Sequence, residues 1–167
     1  MRTRESVNVR FDFQGKTVLV TGATKGIGRD IALSFAGAGA AVLATGRNPE
    51  ELKSLALEIA ALGGTCNTYA ADLSQRIDCE KMAGHFMEKG GADILVNCAG
   101  LSFPETLEKL DVNHWDTTLN VNLRSAAIVS KIMVEGMKSR GGGCIINISS
   151  NAGIAGIEEH AAYCASK

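Results

Sequence analysis

Thr21-Gly22-Ala23-Thr24-Lys25-Gly26-Ile27-Gly28 is the stretch that decides how this chain is read. Its glycines follow the spacing G-x-x-x-G-x-G and lie between two patterned runs. Before them, Thr17-Val18-Leu19-Val20 is short, apolar and partly β-branched, the pattern of a buried strand. After them, Ile27 to Ala36 has helical spacing, which puts Ile27, Ile31 and Phe35 on one predicted apolar face. Gly37-Ala38-Gly39 stops that helix. A glycine turn leading from strand to helix is the context in which a dinucleotide fold holds phosphate. Gly22 allows a sharp turn, Gly26 lets the backbone approach a pyrophosphate, and Gly28 lets helix and strand pack closely. The helix start then offers N–H groups and a positive dipole end to an anion. A tight βα turn without a ligand has the same appearance, so the turn by itself does not assign a function.

Outward from the turn, strand and helix patterns alternate. Ala41 to Ala44 reads as a second strand. Asn48 and Pro49 suit the N-cap and first turn of a helix whose apolar face is Leu52, Leu55 and Ile59. Gly63-Gly64 ends it. Cys66 to Ala70 is a weaker third strand, and Ser74 is positioned to cap a helix running to about Glu88. Asp93 to Asn97 is a fourth strand. A polar loop follows, then a long helix from about Asn113 to Met137, broken by Gly141-Gly142-Gly143. Cys144 to Ile148 is a fifth strand. This alternation predicts an α/β fold of the Rossmann type, a doubly wound parallel sheet with helices on both faces. The domain is read as residues 15–167, behind a polar leader at residues 1–14.

Composition narrows the function classes. The 167 residues suit one domain, and 46% apolar with 21% charged residues is ordinary for a soluble chain. A net charge of −1 gives no electrostatic footprint for nucleic acid. The longest uncharged run, Ile31 to Gly46, falls short of the ~20 residues a membrane span needs, so no membrane partner is expected. Five scattered cysteines, with no paired spacing, argue against a disulfide framework or a zinc site and for a reducing, cytoplasmic setting. His85, His114 and His160 show no ligand spacing, so no metal is expected.

Further motifs follow in chain order. Asp72-Leu73 comes after the third strand, Asn97-Cys98-Ala99-Gly100 after the fourth, and Asn122 in the long helix. Ile148-Ser149-Ser150 ends the fifth strand, and Tyr163-x-x-x-Lys167 closes the chain. With the Thr-Gly-x-x-x-Gly-Ile-Gly turn, this set resembles the short-chain dehydrogenase/reductase family from about Phe11 to Lys167. Cys98 departs from the family's more usual second Asn. The resemblance implies a homo-oligomeric oxidoreductase acting on a small carbonyl or alcohol substrate. It implies cofactor contacts from the turn (Thr21, Gly22, Thr24, Lys25, Gly26, Ile27, Gly28) and from the later strand ends (Asp72, Leu73, Asn97, Ala99, Gly100). Asp72 meets the adenine ring by this reading, or merely caps the next helix. Asn97 also suits a structural role, pinning neighbouring strands by hydrogen bonds.

In dinucleotide folds an acidic residue about 20 positions past the turn binds the ribose diol, whereas arginine there favours a 2′-phosphate. The second strand here ends Ala44-Thr45-Gly46-Arg47, without a carboxylate. Arg47 and Lys25 therefore point to NADP(H), although both residue types are also common as solvated surface charges. Carbonyl reduction further needs a proton donor. A tyrosine serves if a nearby cation favours its phenolate, and Tyr163 and Lys167 share one face of a predicted helix. The resemblance adds a nicotinamide-ribose contact for Lys167 and a water-linked proton relay for Asn122. A solvated or backbone-bonded role for Asn122 stands beside it. Ser150 is preferred to Ser149 as the substrate-binding hydroxyl because its thirteen-residue step to Tyr163 matches the family's spacing. Phe103, Ile154 and Ile157 are candidates for an apolar pocket or for plain loop anchors. A nucleotide-binding regulator without turnover is the alternative function. Family members run longer, so the sequence is expected to be a fragment, with one sheet edge uncovered and little turnover of its own.

Overall fold

Val18, Leu19 and Val20 have no exposed surface, because the strand that carries them lies at the centre of a sheet. In a computed structural model, which describes residues 11–167, five strands pair in parallel in the order β3-β2-β1-β4-β5. They are β1 (Thr17–Thr21), β2 (Ala41–Gly46), β3 (Cys66–Ala70), β4 (Ile94–Asn97) and β5 (Cys144–Asn147). The expected α/β doubly wound fold is the one the chain adopts. Alternate strand residues face opposite sides. Val18, Val20, Val42, Ala44 and Val96 pack under α1 (Gly26–Gly37) and α2 (Pro49–Ala61). Leu19, Leu43 and Leu95 pack on the other side, under α3 (Arg76–Glu88) and α5 (Ser125–Ser139), against Met82, Phe86, Val129 and Met133. Strand order reverses between β1 and β4, and in such sheets that point forms a crevice at the carboxyl ends of the strands.

The structure corrects several local expectations. Ile27 does not join a buried face of α1: it is 65% exposed, and the helix meets the sheet through Gly28, Ala32 and Ala36. The cause is closeness, since a Cβ on Gly28 would stand 2.3 Å from the Gly22 carbonyl oxygen. Ser74 does not cap α3, which follows Gln75 without a side-chain cap. The Asp72 carboxylate instead accepts the Ser74 N–H at 3.0 Å, and Asp78 accepts the Asp72 N–H at 3.3 Å, forming a folded loop. Asp93 lies before β4 and accepts the Thr17 N–H at 2.8 Å. The long helix is α4 (Val112–Leu119), a π-helical turn (Asn120–Arg124) and α5 in succession. By contrast Asn48 caps α2 as expected, accepting from the Glu50 and Glu51 N–H groups.

Of the leader, residues 1–10 lie outside the described residues. The remainder is anchored: the Phe13 N–H donates to the Ala38 carbonyl at 2.8 Å, and the Phe13 ring packs on Phe35. At the opposite edge, all four residues of β5 are exposed, including Ile145 and Ile146. Among the described residues no helix is long and apolar enough to cross a membrane.

Candidate functional site

A cavity of about 740 Å³ opens over the carboxyl ends of the strands, within the range of small-molecule sites. Lys25 and Arg47 line one end; Tyr163 and Lys167 line the other. The glycine-turn end follows from backbone geometry. Gly22 has φ +68°, and a Cβ there would stand 2.7 Å from the Ala99 Cα, so only glycine lets β1 turn against the β4 loop. Gly26 has φ +54° and open space where its Cβ would be, so the turn presents bare backbone to the cavity. No side chain caps α1, unlike α2. Its first N–H groups therefore meet the cavity without a protein partner from a cap.

Thr21, Gly22, Thr24, Lys25, Gly26, Ile27 and Gly28 were one motif in the sequence, but they do different work. Thr21 is buried and does not border the cavity; its hydroxyl accepts the N–H groups of Cys98 and Ala99 at 3.0 and 3.1 Å. That fixes the β4 loop beside the turn. The other six line the cavity, as do Arg47, Asp72, Leu73, Ala99 and Gly100. Asn97 does not: its amide donates to Asn147 at 2.8 Å and to the Ser130 hydroxyl at 3.0 Å, joining β4 to β5 and α5. Gly46, which the sequence reading passed over, lets Thr24 sit against β2, where a Cβ would lie 2.4 Å from the threonine methyl. The glycine beside Arg47 at the strand end was its only signal.

The Tyr163 end is held by α6 (Ala161–Ser166) and the strand-end loops. The Lys167 ammonium donates to the Ile148 carbonyl at 2.9 Å and stands 5.7 Å from the centre of the Tyr163 ring. The sequence-predicted pair is thus brought together inside the cavity. Asn122 lies in the π turn, and its side chain is fully engaged. It accepts the Leu101 N–H at 2.8 Å and donates to the Leu101 carbonyl at 2.9 Å and the Ser166 hydroxyl at 2.8 Å. Those bonds tie the β4 loop to α6. Gly100 lies beside the lysine head, where a Cβ would stand 3.4 Å from Lys167 Nζ. Gly153 touches the same lysine from behind, where a Cβ would stand 2.5 Å from its backbone carbonyl carbon.

The two serines divide differently from the expectation. Ser150 Oγ accepts the Ala152 N–H at 3.2 Å, capping a 3-10 turn (Asn151–Gly153), and does not border the cavity. Ser149 does border it, and its hydroxyl donates to the Lys167 carbonyl oxygen at 3.0 Å. Ile157 lines the cavity, whereas Ile154 is almost fully exposed and Phe103 stacks on His114. Ser102, two residues past Gly100, was not singled out in the sequence. It lines the cavity with a buried hydroxyl that has no hydrogen-bond partner. Burial raises the pKa of the Cys98 thiol above the ordinary thiol range, against the pull of Lys167.

The sheet, its switch-point cavity and the glycine turn define a dinucleotide-binding fold with a tyrosine and a lysine at its far end. A family model described as short chain dehydrogenase matches residues 16–167, and the chain belongs to that family. It is 36% identical over 170 residues to a D-threitol dehydrogenase of Mycolicibacterium smegmatis, covering 100% of this chain and 65% of that protein. The chain therefore spans just under two thirds of that relative's length. A crystal structure of a metagenomic short-chain oxidoreductase in complex with NADP superposes with a TM-score of 0.88 at 36% identity. The match covers 93% of this chain and 71% of that one. A putative NAD(P)-dependent gluconate 5-dehydrogenase from Beutenbergia cavernae, with bound NADP, gives a TM-score of 0.90 at 38% identity, covering 95% and 64%.

Proposed function

We propose that the protein works as an NADP(H)-dependent oxidoreductase that interconverts a carbonyl and a secondary alcohol, with Tyr163 as general acid and base. One observation carries this reading: a single cavity has Lys25 and Arg47 at one end and Tyr163 with Lys167 at the other. The cavity fits a dinucleotide, because its turn combines bare backbone at Gly26 with an uncapped helix start. Lys25 and Arg47 would hold the 2′-phosphate, and Asp72 with Leu73 the adenine side. Tyr163 and Lys167 would meet the nicotinamide ribose. When bound, the cofactor supplies or accepts the hydride.

The chain's own residues handle the proton. The Tyr163 hydroxyl would give its proton to the nascent alkoxide in reduction, leaving a phenolate, and in oxidation the phenolate would take a proton from the alcohol. The Lys167 ammonium places a positive charge 5.7 Å from the centre of the Tyr163 ring. Asn122 holds the lysine's helix and the β4 loop in register through its amide bonds, which suits a relay route but engages the side chain itself. Ser150 remains the proposed substrate hydroxyl by its spacing to Tyr163, and Ser149, which borders the cavity, is its rival. Comparing Ser149→Ala with Ser150→Ala separates them. The substrate class is drawn no finer than carbonyl or secondary alcohol; the D-threitol relative makes that polyol a sensible first probe. The reading extends to a cytoplasmic homo-oligomer, a setting in which five free thiols stay reduced.

Tyr163→Phe in the full-length protein tests the chemistry. Turnover is expected to fall below detection while NADPH binding, followed by cofactor fluorescence, stays within twofold. Unchanged turnover overturns the assignment. Lost turnover of every carbonyl and alcohol probe in the wild type, with intact NADPH binding, would favour the regulator instead.

A further inference from the structure

Two loops border the reactive end of the cavity. One, after β4, contributes Leu101 and Ser102; the other, before α6, contributes Ile157 and His160. They are far apart in sequence, and Tyr163 begins three residues after the second. Among the described residues, one backbone hydrogen bond links them: the Glu105 N–H donates to the Glu159 carbonyl at 2.7 Å, within an isolated parallel bridge between Glu105 and His160.

Glu105 is itself held from both sides. One carboxylate oxygen accepts the Asp111 N–H at 3.0 Å, and the other pairs with Nδ1 of His114. The His114 ring lies flat on Phe103, with centroids 4.0 Å apart and planes 9° from parallel. Phe103, Glu105, Asp111 and His114 therefore form one corner, where the first loop meets the start of α4. These bonds also hold the Glu105 carboxyl below the usual carboxylate range, with the His114 contact the larger influence.

The receiving residue is unusual. Glu159 is the one non-glycine residue with positive φ among the described residues, at +59°. A side chain seldom adopts that conformation unless its surroundings impose it. The bond from Glu105 falls on the carbonyl of that residue.

We propose, resting on the oxidoreductase reading, that Glu105 is a positioning residue. It clasps the loop that carries Ile157 and His160 in its strained form, and so sets where the Tyr163 helix begins relative to the substrate side of the cavity. His114 and Phe103 are the abutment from which it acts. Nothing in this arrangement touches Lys25, Arg47 or the glycine turn, so the clasp leaves that end of the cavity unaltered.

The test uses full-length protein with three variants. Glu105→Ala is expected to raise amide exchange at residues 157–164 and to lower kcat/KM for D-threitol with NADP⁺ about tenfold, a displacement effect well under the ~10²-fold that a 1 Å error can cost. NADPH dissociation is expected to stay within twofold. Glu105→Gln, which retains an acceptor oxygen, should fall between. Glu159→Gly added to Glu105→Ala should recover most of the lost rate, because glycine holds φ +59° without needing the clasp. A merely stabilising contact would not be rescued by a more flexible residue. Unchanged exchange at 157–164 in Glu105→Ala overturns the proposal, as does failure of the glycine to recover the rate. If the wild type turns over no probe, the proposed reaction fails, and the exchange at 157–164 in Glu105→Ala still decides the clasp.

Discussion

The two ends of the cavity are built in opposite ways. The phosphate end rests on β1 and β2, buried in all but their first residues, and its shape is set by backbone that only glycine permits. The reactive end hangs from β5, an edge strand with every residue exposed, and is held by side-chain bonds from Asn122, Ser149 and Glu105. One end is rigid because nothing else fits there. The other is assembled from contacts that can be removed singly. Damage to the first should therefore abolish binding, whereas damage to the second should tune a rate.

Gly28→Ala breaks the rigid end most directly. Its Cβ would stand 2.3 Å from the Gly22 carbonyl oxygen, so either the helix or the turn must move. NADPH binding by fluorescence titration should vanish, and stability should fall by the roughly 1–3 kcal/mol typical of overpacking. Retained affinity would show that the turn yields. Gly153→Ala is the matching lesion at the other end, since its Cβ would stand 2.5 Å from the Lys167 backbone. We expect kcat to fall by roughly 10²-fold, the scale for a misplaced catalytic group, with NADPH affinity retained; equal loss of both would erase the contrast between the ends.

Arg47→Ala is a smaller change. Losing hydrogen bonds to a charged group is worth about 1.5–3 kcal/mol, so NADPH should bind roughly 10–150-fold more weakly. NADH binding should be unaffected, and dissociation constants for the two cofactors check it. The smallest effect is chemical. Burial raises the Cys98 thiol above its ordinary range and carries Cys66 to about 11. A raised thiol pKa keeps the group neutral at neutral pH and delays the reactive thiolate to alkaline solution. Iodoacetamide at pH 7.5 should therefore modify exposed Cys144 before either, with Cys98 gaining reactivity as the pH rises. Bound NADPH should shield Cys98, which lines the cavity, and leave Cys144 unprotected.

The strands and the glycine turn were legible because buried parallel strands are short apolar runs and left-handed or crowded backbone demands glycine. The limits of legibility were also physical. The interval between Ile27, Ile31 and Phe35 marks a helical face, of which Ile31 and Phe35 pack against the core; the distance of closest approach put Gly28, Ala32 and Ala36 deepest and left Ile27 exposed. Asn122 drew notice through the resemblance, yet only coordinates reveal the π turn that carries it. Ser149 and Ser150 are adjacent, and spacing cannot say which hydroxyl is consumed by a local cap. Glu105 left no mark at all, since its partners Asp111, His114 and Glu159 are joined to it by loop conformation and by no motif.

The Thr21 hydroxyl also bears on how the chain folds. Its two hydrogen bonds reach Cys98 and Ala99, 77 and 78 positions further on, and β1 pairs directly with β4. During synthesis the glycine turn emerges early, but its supporting wall arrives only after β2, α2, β3 and α3 have been made. One flank of β1 must wait, unpaired, through that interval. Closing so long a loop is slow, and an unpaired strand is prone to stray association. The nascent chain should therefore acquire its affinity for nucleotide late and abruptly, when β4 docks.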